Sequence, residues 1–310
     1  MKVVVAGSSG SIGSALLPHL RAAGHEVIRL VRREPRTPDE VRWDPASGAL
    51  DPALLAGAEA AVNLAGPGIG SKRWTTAYKR EVKQARVEAT ETLAVALAAL
   101  DPQPGVLVSG SAIGFYGDTG AAVVDESAPA GADYLAEIVQ AWEHATAPAE
   151  RAGIRVVHLR TGVVMSADGG LLDTPVPIFG LPIKLLPLFK LGLGGRLGSG
   201  QQWMSWVSMR DEVRAIQFAL ETASLSGPIN VTAPEAVTNK GWTKALGKQL
   251  RRPTVLPVPA PVLRLAVGEF ANLGALVSQR VQPRRLLDAG FEFELPTIES
   301  ALAAELSGSR

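Results

Sequence analysis

The hydrophobic pattern along the chain alternates between two periods. Residues 2–6, KVVVA, form a short β-branched run without polar alternation, which predicts a strand buried on both faces. Ile12, Leu16, Leu17 and Leu20 then recur at helical spacing up to Ala23, and Gly24 supplies a stop. Residues 26–32, EVIRLVR, predict a second strand. Further along, AAVNLAG (60–66), GVLVSGSA (105–112) and RVVHLRTGVV (155–164) predict buried strands. Tyr78, Val82, Ala85, Ala89, Leu93 and Leu97 mark a helix over about 75–100, and another helix is expected from Tyr134 to Arg151. Residues 209–223 predict a helix and 228–233 a strand. Strands alternating with helices predict an α/β fold with a doubly wound parallel sheet.

Past Val164 the pattern changes. Residues 166–204 are rich in Pro and Gly and show no clear period, which predicts a lid or linker. From Pro234 the chain reads as mainly helical. The expected organisation is a dinucleotide-binding Rossmann unit over 1–165, rejoined by 205–233. A smaller, mainly helical substrate or lid domain would then occupy 166–204 and 234–310. A prior of roughly 150 residues per domain also suggests about two. The unusually apolar stretch 260–277 has three readings: ordinary core, a cover for the cleft, or a subunit contact. A homodimer is therefore one expectation.

Composition narrows the function. Hydrophobic residues make up 46% of the 310, enough for a large core, and the net charge of +1 gives no field that points to nucleic acid or membrane. There is no cysteine, which excludes thiolate metal sites. The four histidines are scattered without metal-ligand spacing, so no metal is expected. No cationic leader precedes an apolar run, and 175–195 is broken by prolines and by Lys184 and Lys190. A cytoplasmic protein is the expectation.

The turn after the first strand carries the clearest chemistry. Gly7, Gly10 and Gly13 stand between a strand and a helix, the context that a dinucleotide turn requires. Gly7 permits the tight turn, Gly10 lets backbone approach a pyrophosphate, and Gly13 lets helix and strand pack closely. With Ser8, Ser9, Ser11 and Ile12 they form the expected cradle. The next strand ends in Val31-Arg32-Arg33, where an acid would favour a ribose hydroxyl. Arg32 instead suits a 2′-phosphate, so NADP(H) is expected rather than NAD(H). Arg33 either adds to this strand end or is a solvated charge. Ligands of such sheets lie beyond the carboxyl ends of the strands. Leu64, Ala65, Gly66, Arg160, Gly162 and Val163 are expected there. Arg86 either faces phosphate from its long helix or is a solvated helix charge.

The stretches AGSSGSIGSAL, VNLAGPGIGSKRWTTAYKREV, VSGSAIGFYGD, YLAEIVQAWE, LRTGVVMSADGG, GLGGRLGSGQQWMSWVSMRDE and VTNKGWTKALG resemble the extended short-chain dehydrogenase/reductase superfamily. More narrowly they are similar to its epimerase-like branch, whose small tail domain resembles VQPRRLLDAGFEFELPTIESAL. The resemblance covers nearly the whole chain and implies catalysis by a serine, a tyrosine and a lysine four residues after the tyrosine. Ser111 and Tyr134 match the first two positions. The third is Ile138, and no lysine lies between Lys83 and Lys184. Tyr134 is therefore either a weakened proton donor or a packing aromatic, and Tyr116 either faces the site or packs in a loop.

Several other residues have two readings. Arg73 is an anchor for an anionic substrate or a surface charge. Gln202, with Gln201 and Trp203, would line a substrate cleft, whereas Trp206 and Trp74 read as packing residues. Asp44 reads as a turn former before Pro45. Two functions stay open. One is an NADP(H)-dependent oxidoreductase or epimerase acting on a small molecule. The other is a cofactor-binding regulatory or sensing protein with little turnover, for which the absent lysine argues.

Overall fold

The computed structural model describes residues 1–70, 72–178 and 181–307, so Ser71 of the SKRW stretch and the 179–180 step of the excursion lie outside the described residues. Seven strands form one sheet: β1 Lys2–Ala6, β2 Glu26–Val31, β3 Glu40–Arg42, β4 Ala60–Asn63, β5 Val106–Ala112, β6 Arg155–Thr161 and β7 Gly227–Val231. Their order is β7-β6-β5-β4-β1-β2-β3, and every pairing is parallel. The direction of winding reverses between β1 and β4, so a crevice opens beyond their carboxyl ends.

Five helices flank this sheet: α1 Ser11–Ala22, α2 Thr76–Ala98, α3 Tyr134–His144, α4 Ala147–Arg151 and α5 Met209–Glu221. Val3 and Val5 pack with Leu16 and Leu20 of α1 and with Val213 and Ile216 of α5. Val4 and Ala6 point the other way, onto Leu93 and Leu97 of α2. Burial on both faces is why these strands show no polar alternation. Each such buried leucine contributes on the order of 1.5–3 kcal/mol. A second core, with Phe189, Trp206, Trp242, Leu246, Ile298 and Leu302, holds the remainder of the chain together. Among the described residues no helix is long and apolar enough to cross a membrane.

The edge strand β3 was not among the expected strands, and three further elements differ from the pattern-based expectation. The helix expected from Tyr134 to Arg151 is two helices, because Pro148 has no N–H with which to continue α3. At the break, the Thr146 hydroxyl donates to the Glu143 carbonyl at 2.8 Å and meets His158 Nε2 at 3.0 Å. The strand expected over 155–164 stops at Thr161. Val163–Met165 leaves the sheet and pairs with Trp206–Ser208. A side chain at Gly162 would stand 2.8 Å from the Ser205 carbonyl oxygen, so the two segments cross too closely for anything but glycine. The 166–204 excursion has structure of its own, a hairpin of Pro175–Ile178 with Leu181–Lys184 followed by a short helix Leu185–Lys190.

Glu212, in the first turn of α5, is fully buried. Its Oε1 accepts from the Thr161 hydroxyl at 2.9 Å, and its Oε2 has no partner. Burial pushes this carboxyl up to about 8. An unfolded glutamate titrates near ~4.3. Between those values the unfolded chain releases a proton that the folded chain keeps, so stability falls as pH rises and the penalty is full above pH ~8. Glu212→Leu removes the penalty, and Thr161 retains the Leu159 carbonyl as a weaker acceptor at 3.4 Å. Urea unfolding is expected to show the variant gaining stability over wild type as pH rises from 5 to 8, by about 2 kcal/mol or more at the upper end. A difference that does not change with pH would contradict this account of Glu212.

Candidate functional site

The β1–α1 turn is built by crowding. Gly7 has φ +78°, and a side chain there would stand 2.5 Å from the Leu64 carbonyl carbon, so the turns after β1 and β4 touch backbone to backbone. A Cβ at Gly13 would overlap the Gly7 carbonyl oxygen. Gly10 caps α1 and brings no side-chain bond to it. The first-turn N–H groups, at Ser11, Ile12 and Gly13, are thus left to an outside acceptor, and the helix dipole favours an anion there. Ser8 is buried, whereas Ser9 and Gly10 are exposed. Gly169 presses against Ser11, so the excursion that leaves the sheet after Gly162 and Val163 roofs one side of the turn.

Beyond β4, Asn63 is fully buried and shapes the Leu64–Gly66 turn. Its Nδ2 donates to the Thr90 hydroxyl at 2.8 Å and its Oδ1 accepts from the Ala65 N–H at 3.1 Å. Arg86 reaches this turn from α2. It lies against Gly66, donates to the Pro67 carbonyl at 2.8 Å and stacks on Trp142 at 5.1 Å. Among the described residues no carboxylate accompanies it, and burial pulls its guanidinium down to about 10. Arg86 is therefore not a solvated helix charge.

The end of β2 sorts its two arginines. Arg33 is exposed but ion-paired, donating to both oxygens of Glu40 at 2.6 and 2.7 Å. These bonds hold the Glu40 carboxyl down at about 2. Arg32 is exposed and has no protein partner among the described residues.

A buried polar network joins β5, β6 and β7. Ser111 donates to Glu143 Oε1 at 2.6 Å. Arg160 grips the same carboxylate through Nε at 2.8 Å and Nη2 at 2.9 Å, and its Nη1 donates to the Tyr116 hydroxyl at 3.1 Å. Tyr116 in turn donates to Asn230 Oδ1 at 2.7 Å. Burial alone would push the Glu143 carboxyl up, but the bonds from Arg160 and Ser111 outweigh it and leave it below the usual carboxylate range. Burial pushes the Tyr116 phenol up, more than Arg160 pulls it down. Arg160 thus departs from the sequence reading. At 4% exposure, its guanidinium is spent inside the fold rather than offered to a cofactor. Tyr116 likewise belongs to the interior.

Tyr134 opens α3, capped by Asp133. Its ring meets Trp74 edge-on at 6.3 Å, and Trp74 packs on Phe270 at 5.4 Å. Lys79 Nζ stands 4.8 Å over the Tyr134 ring. Ile138 is buried in the same cluster. Arg73 is exposed, with its guanidinium beside Gly268. Gln202 does not line a cleft: it is buried and its amide donates to the Leu197 and Ala275 carbonyls at 3.2 and 3.3 Å, tying loops together. Trp206 is fully buried, and Asp44 caps the turn that follows it.

Three residues of the site escaped the sequence reading: Asn63, Lys79 and Glu143. Glu143 carried a usable signal. It falls four residues after Val139 on the stripe of α3 that buries Leu135, Ile138 and Val139, and a carboxylate on an apolar stripe needs a partner.

Comparison with known proteins places these features in a family. A family model described as the NAD dependent epimerase/dehydratase family matches residues 3–232, and a domain of unknown function, DUF1731, matches residues 258–305. The chain is 48% identical over 300 residues to the epimerase family protein Mb2239 of Mycobacterium bovis, covering 97% of this chain and 96% of that one. The human epimerase family protein SDR39U1 (isoform 2), solved with NADPH, is similar at 32% identity and a TM-score of 0.89, covering 99% of each chain. A nucleoside-diphosphate sugar epimerase from Corynebacterium glutamicum is similar at 36% identity and a TM-score of 0.80, covering 99% of this chain and 58% of that one.

The Glu143–Arg160 pair yields a stability prediction. Glu143→Ala leaves a buried guanidinium without its anion and is expected to cost about 3–5 kcal/mol. Ser111→Ala leaves the pair intact and should cost no more than about 1.5 kcal/mol. Denaturant unfolding of the two variants measures both.

Proposed function

The chain belongs to the NAD dependent epimerase/dehydratase family, and on that premise we propose that it binds NADP(H) and acts as an oxidoreductase or epimerase on a small molecule. The observation that carries the cofactor preference is Arg32, an exposed cation with no partner among the described residues, just past β2 in a strand end that has no acid. The donor set fits a dinucleotide. The uncapped N-terminus of α1 and the glycine cradle suit a pyrophosphate. Ser8, Ser9, Leu64, Ala65, Gly66, Gly162 and Val163 border the same edge, and Arg86 lies against Gly66 with no counter-ion among the described residues. The bound nicotinamide would supply hydride transfer. The solved human relative holds NADPH, which supports the reading.

On the substrate side Ser111 and Tyr134 are the proposed reacting groups. The Ser111 hydroxyl donates its hydrogen bond to Glu143, so its oxygen is left as an acceptor for a substrate hydroxyl. Tyr134 is the proposed proton donor, and Arg73 a candidate anchor for an anionic group. Residues 166–204 and 234–310 are proposed to form the substrate-binding half. The alternative is a binding protein with little turnover, which Ile138 in place of the family's lysine favours.

Calorimetry separates NADPH from NADH. Wild type is expected to prefer NADPH, and Arg32→Ala to lose about 1.5–3 kcal/mol of that preference, the worth of a hydrogen bond to a charged group. Equal affinity of wild type for both cofactors would sink the assignment. Tyr134→Phe is expected to keep NADPH affinity while lowering NADPH-driven reduction across a panel of reactive dicarbonyls by about 10²-fold, the low end for a general acid. Full turnover in that variant would overturn Tyr134 as the proton donor, and no turnover by wild type across the panel would assign the chain to the binding class.

A further inference from the structure

The net charge of +1 conceals an uneven distribution. Residues 184–207 and 236–268 together hold nine of the 31 basic residues and none of the 30 acidic ones, which leaves 22 bases against 30 acids elsewhere and makes the rest of the chain acidic by eight. The fold sets these two stretches side by side. The Val258 N–H donates to the Arg196 carbonyl at 2.8 Å, and the Gly198 N–H to the Val258 carbonyl at 2.9 Å. Gly192 lies against Pro253, and Gly195 against the Leu256 backbone. Lys240, Lys244 and Lys248 recur at i, i+4 and i+8 on the exposed side of the helix Asn239–Leu250, whose other side buries Trp242, Ala245 and Leu246. That stripe runs into Arg251 and Arg252, both exposed, and Lys190 is exposed just before Leu191. Around these cations Leu191, Leu193, Val255, Leu256, Val262 and Leu265 are between 49% and 77% exposed. Val262 and Leu265 share one face of the helix Ala260–Val267, while Leu263 is buried.

We propose that this basic, aliphatic face is a peripheral docking surface for a bilayer of anionic phospholipid. The acids of neighbouring elements offset little of its charge. Asp173 is paired with Lys184, and Glu269 with Lys79. Glu305 accepts from the Ala167 N–H. Glu235 precedes the second stretch, and Glu299 lies beside Gln249, which donates to its carbonyl at 3.4 Å. Clustered like charges repel one another in water and are relieved by a surface of opposite sign. Each basic residue near an anionic leaflet strengthens attachment by about 5-fold. The exposed aliphatic side chains select a bilayer among anionic partners, because they can enter the boundary between headgroups and acyl chains. Lysine and arginine stems lie along that boundary with their charges outward. A single-stranded nucleic acid would call for exposed aromatics on which bases stack, whereas Phe189 and Trp242 of this region are buried. A two-fold contact with a second copy would set these cations against themselves.

The test is density-gradient flotation of the full chain with two kinds of vesicle, phosphatidylcholine alone and phosphatidylcholine with about a third phosphatidylglycerol. Wild type is expected to float with the anionic vesicles at low salt, to stay behind with the neutral ones, and to be released at high salt. The double variant Arg251→Gln/Arg252→Gln should bind the anionic vesicles about 10-fold or more weakly. Leu265→Ser should weaken binding severalfold with its charge unchanged. Arg80→Gln, an exposed cation on α2 away from this face, should float like wild type. All substituted side chains are exposed, and far-UV circular dichroism of each variant checks that the fold is intact. Flotation with neither vesicle, equal flotation with both, or an equal loss in Arg80→Gln would overturn the proposal. So would self-association on sizing with no flotation, which would give the face to a second copy. Binding of a single-stranded oligonucleotide that falls in the arginine variant and ignores Leu265→Ser, with no flotation, would give it to nucleic acid.

Discussion

One buried ion pair holds the candidate site in register. Glu143 on α3 and Arg160 on β6 are both largely withdrawn from water, which is costly for each charge alone. The two-pronged contact and the added bonds to Ser111 and Tyr116 offset that cost. In exchange α3 cannot rotate or slide against the sheet without stranding a charge. Tyr134 at the start of the same helix and Ser111 on the neighbouring strand inherit that fixed relation. Through Tyr116 and Asn230 the constraint extends to β7. Asn230 also donates to the Gln282 carbonyl at 2.9 Å, which carries it into the C-terminal unit.

Most of the sheet was legible in the chain because its central strands are buried on both faces. Apolar runs such as Val3–Ala6 and Val106–Val108 admit few other readings. The boundaries that failed did so for local reasons. Pro148 ends α3 although the apolar spacing runs on, and Gly162 turns the chain out of the sheet although Val163 and Val164 prolong the β-branched run. Periodicity registers which face is buried and cannot see a missing N–H or a crossing segment.

The site was legible in part. Gly7, Gly10 and Gly13 announce themselves because only a cradle for an anion needs glycine at that spacing between a strand and a helix. Arg32 was singled out at the strand end, but the partner of Arg33 was not legible, because Glu40 comes alongside only through the pairing of β3 with β2. Arg160 read as a ligand because a cation at a strand end usually faces outward, and its partner lies on a helix 17 residues away in the chain. Lys79 was invisible for the same reason. It meets Tyr134 across two helices and Glu269 across 190 residues, distances at which spacing carries no information.

The contact between the Gly7 turn and the Leu64 turn has a consequence for how this cradle can change through descent. Misfits between side chains can be repaired by a second substitution that trims the neighbour. Here the neighbour is peptide backbone, which is the same whatever residue is encoded. No second-site replacement makes room for a methyl group at Gly7, and the Gly13 contact with the Gly7 carbonyl obeys the same logic. The turn is inherited whole or lost whole, and diversification of a lineage carrying it is confined to side chains around the rim, such as Arg32, that touch no backbone at such range.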